Sequence, residues 1–297
     1  MPNAILSASR SPAAQNQSRA LLAILALYLV GRIIEVLPFS TPSTSVVALE
    51  ILSAFAFALI HGAYYYRLRG ILVFIAICLV VGNTIENIGV VTGFPFGHYK
   101  FLQLMGPKLL HVPILLGLAY IGMAYVSWTL ACLILGATRP TLTGAHLIAV
   151  PLLASFIMTA WDFAQDPVWS TLLHAWRWRD GGRWFGVPFS NFAGWLLTVF
   201  LIYFAFALYL RRKPSSTPAP ESAHGRTAVL LYAFCAIGNV LQLLRPQPAD
   251  AVADATGTIW HTAAILRASA LVSLFIMGSF ALLAEIKAQK LRVSVGN

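Results

Sequence analysis

Long apolar runs broken by short polar patches make up most of this chain. A helix crossing a bilayer needs about 20 apolar residues. On that measure the runs predict spans near 20–38, 45–66, 71–92, 109–136, 142–165, 189–210, 227–245 and 259–284, eight in all. The seventh carries Asn239 and Gln242 inside it. Between the sixth and seventh, KPSSTPAPESAHG is rich in Pro, Ser and Ala and reads as a flexible linker. The expected organisation is a disordered polar tail over 1–19, a helix bundle over 20–212, a linker over 213–226, and a two-helix appendage with a basic tail over 227–297.

Composition agrees with that pattern. The 297 residues are 59% hydrophobic and 10% charged, with mean hydropathy +0.76. Soluble domains carry roughly a quarter charged residues, so the chain reads as an all-α, polytopic transmembrane helix bundle. The net charge of +10 does not point to nucleic acid, because the Lys and Arg residues sit mostly between apolar runs. Counted by side, they favour a cytoplasmic placement of both termini by about two to one, with an inner membrane as the expected location. That placement puts the loops after the third and fifth spans on one membrane face. Cys78, Cys132 and Cys235 lie singly in apolar runs and read as small buried hydrophobes.

Those two loops are the unusual stretches. Asn83–Phe101 reads NTIENIGVVTGFPFGHYKF: an acid inside an apolar run, followed by a segment that cannot continue a helix. An intramembrane acid is costly and by default marks a functional site. Irregular backbone at membrane depth persists only where it is buried in protein or lines a cavity. Trp161–Trp195 holds Asp162, Asp166, His174, Asn191 and six of the chain's eight tryptophans. It repeats the Pro-Phe grammar of the first loop in Gly186-Val187-Pro188-Phe189.

The individual residues carry competing readings. Glu86, with Asn83 one turn earlier and Asn87 beside it, is either a functional acid or part of a packing knot. Asp162 and Asp166 share a face if the helix persists between them. Asp166 is equally a helix cap ahead of Pro167, which disfavours helical geometry at the residue before it. Asn191 is a cap or a ligand to a bound water. The tryptophans also suit an interfacial belt. His98, His111 and His174 lack metal-ligand spacing. Arg32 and Glu35 are most simply an intramembrane ion pair. No Gly-x-Ser-x-Gly, P-loop, dinucleotide fingerprint or Cys-x-x-Cys occurs.

Taken together, the two loops resemble the signatures of the membrane carotenoid hydratases of γ-carotene and bisanhydrobacterioruberin type. The first signature corresponds to Glu86, Gly89, Thr92-Gly93, Pro95-Phe96-Gly97 and Tyr99. The second corresponds to Asp162, Asp166-Pro167, Trp176-x-Trp178, Gly186-Val187-Pro188 and Asn191-Phe192-x-Gly194-Trp195. The likeness follows the helix pattern over about residues 20–210. Phe101 and Trp184 stand where the family pattern leads one to expect tyrosine, keeping an aromatic and losing a hydroxyl.

The resemblance implies addition of water to the terminal C1–C2 double bond of an acyclic carotenoid end group, giving a tertiary alcohol. Such chemistry needs a carboxylic acid that keeps its proton in an apolar site. It also needs aromatic faces to steady a tertiary cation, each worth roughly 0.5–2 kcal/mol, and a polar group to orient water and take its proton. Glu86, Asp162 and Asp166 are the candidate catalytic residues. Asn83, Phe94, Phe96, Tyr99, Trp161, Trp176, Trp178, Trp184, Asn191 and Trp195 are the candidate substrate-binding residues. The reaction requires no cofactor and no metal. The expected partners are a C40 or C50 polyene and membrane lipid, not nucleic acid; the resemblance also admits other carotenoid biosynthesis enzymes. A non-catalytic carotenoid or lipid carrier, and an end-group cyclase, are the competing readings.

Overall fold

The computed structural model describes residues 12–37, 44–137, 142–212, 222–247 and 249–295. The first eleven residues of the expected tail and residues 213–221 of the expected linker lie outside the described residues. The chain is mostly helical. Helix α1 covers Pro12–Val36 and α2 covers Thr44–Ile77; a π-helical turn, Cys78–Gly82, leads into α3, Asn83–Thr92. After three short strands comes α4 (Ile114–Leu135), then α5 (His146–Asp166) and, past a fourth strand, α6 (Phe189–Arg211). The last helices are α7 (Ser222–Leu241), α8 (Thr262–Val272) and α9 (Gly278–Val295), the final two joined by a π-helical turn over Ser273–Met277.

Six helical segments among the described residues are long and apolar enough to cross a membrane: Ser45–Thr92, Ile114–Leu135, His146–Leu172, Phe189–Arg211, Gly225–Leu244 and Thr262–Lys290. The 48-residue Ser45–Thr92 run covers the second and third expected spans. It is interrupted at Arg67, where φ 58 and ψ 165 leave helical geometry. α1 begins at Pro12, within the stretch expected to be a polar tail.

Helix α4 is the centre of the bundle. Its run from Ala119 to Ala131 is buried without interruption, so it is apolar all round, as a helix enclosed by others must be. α2, α5, α7 and α9 pack around it, and α1 lies between α2 and α7. Large apolar side chains such as Leu22, Leu52, Val80, Val91 and Leu274 are exposed on the outer helix faces, as expected of surfaces that meet lipid tails rather than water. Helices α7 and α9 thus pack directly on the body that precedes them.

At one end of the bundle two loops join as a ribbon. Strand β1, Tyr99–Phe101, pairs antiparallel with β4, Trp176–Trp178, in the register Tyr99 to Trp178 and Phe101 to Trp176. Between them in sequence, β2 (Lys108–Leu109) and β3 (Val112–Pro113) form a small hairpin. A third ribbon, β5 (Ala251–Ala253) with β6 (Ile259–His261), covers the second loop, where the Trp260 and Phe185 rings lie 5.4 Å apart.

Candidate active site

The first loop is shaped by its glycines and proline. α3 stops at Thr92 because Gly93 takes a left-handed conformation, φ 81, with its N–H bonded to Gly89 O at 2.8 Å, a geometry glycine adopts without penalty. The chain then turns so that Phe96 lies fully buried between two other glycines. A Cβ at Gly89 would stand 2.7 Å from one edge of the Phe96 ring, and one at Gly194 would stand 2.7 Å from the other. This close approach accounts for both glycines and carries the chain into β1.

The second loop begins inside a helix. α5 does not end at Asp166; it continues as a π-helical turn over Pro167–Leu172. Asp166 is helical, with φ −56 and ψ −46, and its side chain makes no cap. The cap reading is therefore corrected: the chain crosses Pro167 by widening to a π turn, the Phe163 carbonyl that Pro167 cannot serve accepts the Trp184 indole at 3.3 Å, and the Asp166 carboxylate is buried. Strand β4 then presents Trp176 and Trp178 on one face, since alternate strand residues point the same way. Tyr99 and Phe101 do the same on β1.

These elements enclose a cavity of about 940 Å³, its mouth included. Glu86 on α3 lines it and is 3% exposed. Its Oε2 accepts the Tyr99 hydroxyl and its Oε1 the Tyr120 hydroxyl at 2.7 Å. Asp162 and Asp166, one turn apart on α5, line the same cavity. Asn191 Nδ2 donates to Asp162 Oδ2 at 3.0 Å and to Asp166 Oδ2 at 2.6 Å, using both hydrogens of one amide. Asp166 Oδ1 accepts from the Trp176 and Trp178 indoles at 3.0 and 3.3 Å. The donors around all three carboxylates are neutral phenols, indoles and an amide.

Aromatic rings complete the wall. Tyr120 meets Trp195 edge-on at 4.5 Å, Phe96 lies 5.5 Å from Trp195, and Tyr99 lies 4.8 Å from Trp178. Phe101 packs edge-on against Tyr99 and Trp176, so at that position the lost hydroxyl is replaced by ring contact. Trp161 also lines the cavity.

Three of the candidate binding residues lie elsewhere. Asn83 accepts the Asn87 amide at 2.7 Å, and Asn87 Oδ1 accepts His111 N–H at 3.1 Å, a knot that holds the β2–β3 hairpin to α3. Phe94 is 67% exposed. Trp184 stacks on Phe163 at 4.4 Å and donates to the Phe163 carbonyl. Sequence reasoning missed Tyr120, whose only signal is a hydroxyl within an apolar span, and the far wall of the cavity, where Tyr28, Arg32 and Glu50 stand. Among the described residues, no group of three or more His, Cys, Asp or Glu side chains is placed to hold a metal ion.

The apolar helices and the buried polar cavity define an integral membrane protein with an enclosed site. The chain belongs to the carotenoid biosynthesis protein family, whose profile matches residues 45–259. It is 32% identical over 140 residues to the bisanhydrobacterioruberin hydratase of Haloarcula japonica, a match covering 45% of this chain and 45% of that protein. No solved structure matches. The resemblance read from the two loops is borne out.

Proposed function

We propose that this protein is a carotenoid hydratase that adds water across the terminal C1–C2 double bond of an acyclic end group. The observation that carries the reading is the convergence of three carboxylates, all with neutral hydrogen-bond donors, on one aromatic cavity. A carboxylic acid delivers its proton to C2, leaving a tertiary cation at C1. Water attacks C1 and passes a proton to a carboxylate, so the site ends with the protons it began with, and alkene plus water has become a tertiary alcohol.

In this scheme Asp162 is the acid, or shares that task with Glu86. Asn191 meets Asp162 at Oδ2, and the other oxygen is offered to the substrate. Glu86 would act through the hydroxyls of Tyr99 and Tyr120 that bond its two oxygens. Asp166, held by two indoles and Asn191, orients the water and takes its proton. The rings of Phe96, Trp161, Trp176, Trp178 and Trp195 face the cation.

The same proposal includes the topology. Splitting the Ser45–Thr92 run at Arg67 and counting α1 gives eight spans, because 48 residues of helix would reach roughly 70 Å, more than twice a bilayer core. Both termini then lie in the cytoplasm of an inner-membrane protein, with both loops on the opposite face. The chemistry belongs to residues 20–212, and residues 227–297 close one side. Cysteines at the exposed positions Gln103 and Arg177 should react with an impermeant thiol reagent from outside, and one at Arg212 should not. Labelling of Gln103→Cys and Arg177→Cys from opposite faces would separate the two loops and remove the shared site.

The direct test is expression in a host that makes acyclic carotenoids, followed by mass analysis of the pigments. A gain of one water is the expected result. An isomer of unchanged mass would make the protein a cyclase, and an unchanged pigment would leave it a carrier.

A further inference from the structure

The cavity has a second polar wall, remote in sequence from the two loops. Arg32 on α1 donates through Nη1 to Glu35 Oε2 at 2.6 Å and to Glu50 Oε2 at 3.2 Å, and through Nη2 to Asn239 Oδ1 at 2.7 Å. Gln242 on the turn after α7 donates to Glu35 Oε2 at 3.1 Å. Arg32 and Glu50 line the carboxylate cavity. Arg32, with Glu35, Asn239, Gln242 and Gln247, also lines a neighbouring cavity where α1, α5 and α7 end. The two cavities share Arg32, Val47, Gln165 and Trp169.

We propose that this polar file is a water inlet to the carboxylate cavity, with Glu50 as its inner water-binding group; the proposal rests on the hydratase reading. That reaction consumes one water per turnover inside a wall of aromatic and aliphatic side chains. Water enters such a place only along polar partners, because it needs two to four of them at each stop. A knot that merely tied α1 to α2 and α7 would not need both acids. Glu35 alone pairs the single guanidinium, and Asn239 takes its other amino group. Glu50 is the second carboxylate on one cation, and its Oε1 is buried with no partner among the described residues, as is Arg32 Nε. An unsatisfied buried carboxylate oxygen is expensive, and water is the ordinary partner of such atoms. Gly238 keeps the passage compact: a Cβ there would stand 2.0 Å from Arg32 Nε.

The test is partition of the cation. A tertiary cation that meets no water loses a proton from a neighbouring carbon and returns to alkene. In protein equilibrated with D2O before substrate is added, so that its carboxyl groups carry deuterium, that return leaves deuterium in the recovered polyene, with no gain of water. The full-length protein in lipid nanodiscs is given an acyclic carotenoid in D2O, and product and recovered substrate are weighed by mass spectrometry. Glu50→Leu leaves Arg32 paired with Glu35, and should raise the ratio of deuterium exchange to hydration about tenfold. Glu50→Gln, which keeps a polar group at the inner end, should bring the ratio back toward wild type. Gln242→Leu, at the outer end, should raise the ratio as well. An unchanged ratio in Glu50→Leu and Gln242→Leu, or proportional loss of exchange and hydration in both, overturns the inlet. A wild-type protein that neither hydrates nor exchanges removes the hydratase reading, and the inlet with it.

Discussion

The bundle holds two buried polar clusters, and they are built on opposite rules. Around Arg32 a guanidinium faces Glu35 and Glu50, with Asn239 accepting from Arg32 and Gln242 donating to Glu35. Around Glu86, Asp162 and Asp166 the donors are neutral: two phenols, two indoles and one amide. A cation beside a carboxylate favours the ionised form and fixes the pair in place. Neutral donors orient a carboxyl group without forcing it to give up its proton. The first arrangement suits an ordered, hydrated structure that joins helices. The second suits a site that must hand protons to a hydrocarbon and take them back.

The largest effects should separate the clusters by kind of damage. Asp162→Asn and Glu86→Gln replace an acid with an amide of the same shape and leave no counter-ion exposed. We expect both to insert, fold and bind pigment while losing hydration, measured in membranes at matched protein level. Active Asp162→Asn enzyme would sink the acid assignment. Arg32→Met should do the reverse and strike the fold first, because it leaves the buried Glu50 and the half-buried Glu35 without their cation, a loss of about 3–5 kcal/mol for the buried group. Thermal unfolding in detergent reads that difference. A stable Arg32→Met protein would break the comparison.

Next in size is Asp166→Asn. Asn caps a helix about as well as Asp, so a purely structural Asp166 would give a silent variant. The side chain accepts two indoles and Asn191 instead of capping, and we expect a loss of about 10²-fold or more in rate, the low end for general acid–base groups. Tyr120→Phe follows. It removes one of the two hydroxyls on Glu86 and should slow hydration about fivefold or more, matching the roughly 1 kcal/mol of an ordinary hydrogen bond. A rate equal to wild type would take the phenol relay out of the scheme.

How much of this was legible in the sequence follows the range of the interactions. Local signals carried well: apolar runs placed most of the helices, and the Gly-Phe-Pro-Phe-Gly run marked where one ends. Asp162 and Asp166 share a face as their four-residue spacing allows. What spacing could not show was long-range choice. Proline after Asp166 reads as a stop in isolation, yet the chain crosses it by widening to a π turn. Asn83 sits one turn from Glu86 but bonds Asn87, because the acid turns toward Tyr99 and Tyr120. Glu50 carried the same local sign as Glu86, an acid inside an apolar run, but with no broken loop beside it. Its meaning comes from Arg32, 18 residues earlier, and from a cavity that forms only when α1 and α2 pack.

The smallest effect should come from the charged clasp on the outside of the two loops. His98 Nδ1 lies 3.0 Å from Asp180 Oδ2, and Arg179 Nε donates to Asp180 Oδ1 at 2.9 Å. Hydrogen bonding from Arg179, then from His98, holds the Asp180 carboxyl below its usual range. A carboxyl lowered in the fold contributes above its unfolded value of about 3.9 and loses that contribution only as pH falls through the lowered folded value. The Asp180 carboxylate therefore stays ionised throughout the neutral range, and its titration lies to the acid side of it. The clasp is also exposed to water, where such pairs are worth little. The ribbon beneath has its own ties: Arg179 N–H to His98 O and Leu102 N–H to Ala175 O, both at 2.8 Å, and the ring contact of Tyr99 with Trp178. Asp180→Asn should accordingly keep hydration within about twofold of wild type, with the pH–rate profile unchanged between about pH 5 and 8. A profile that shifts in that window would mean that an exposed charge pair, and not the buried aromatic ribbon, sets the geometry of the cavity.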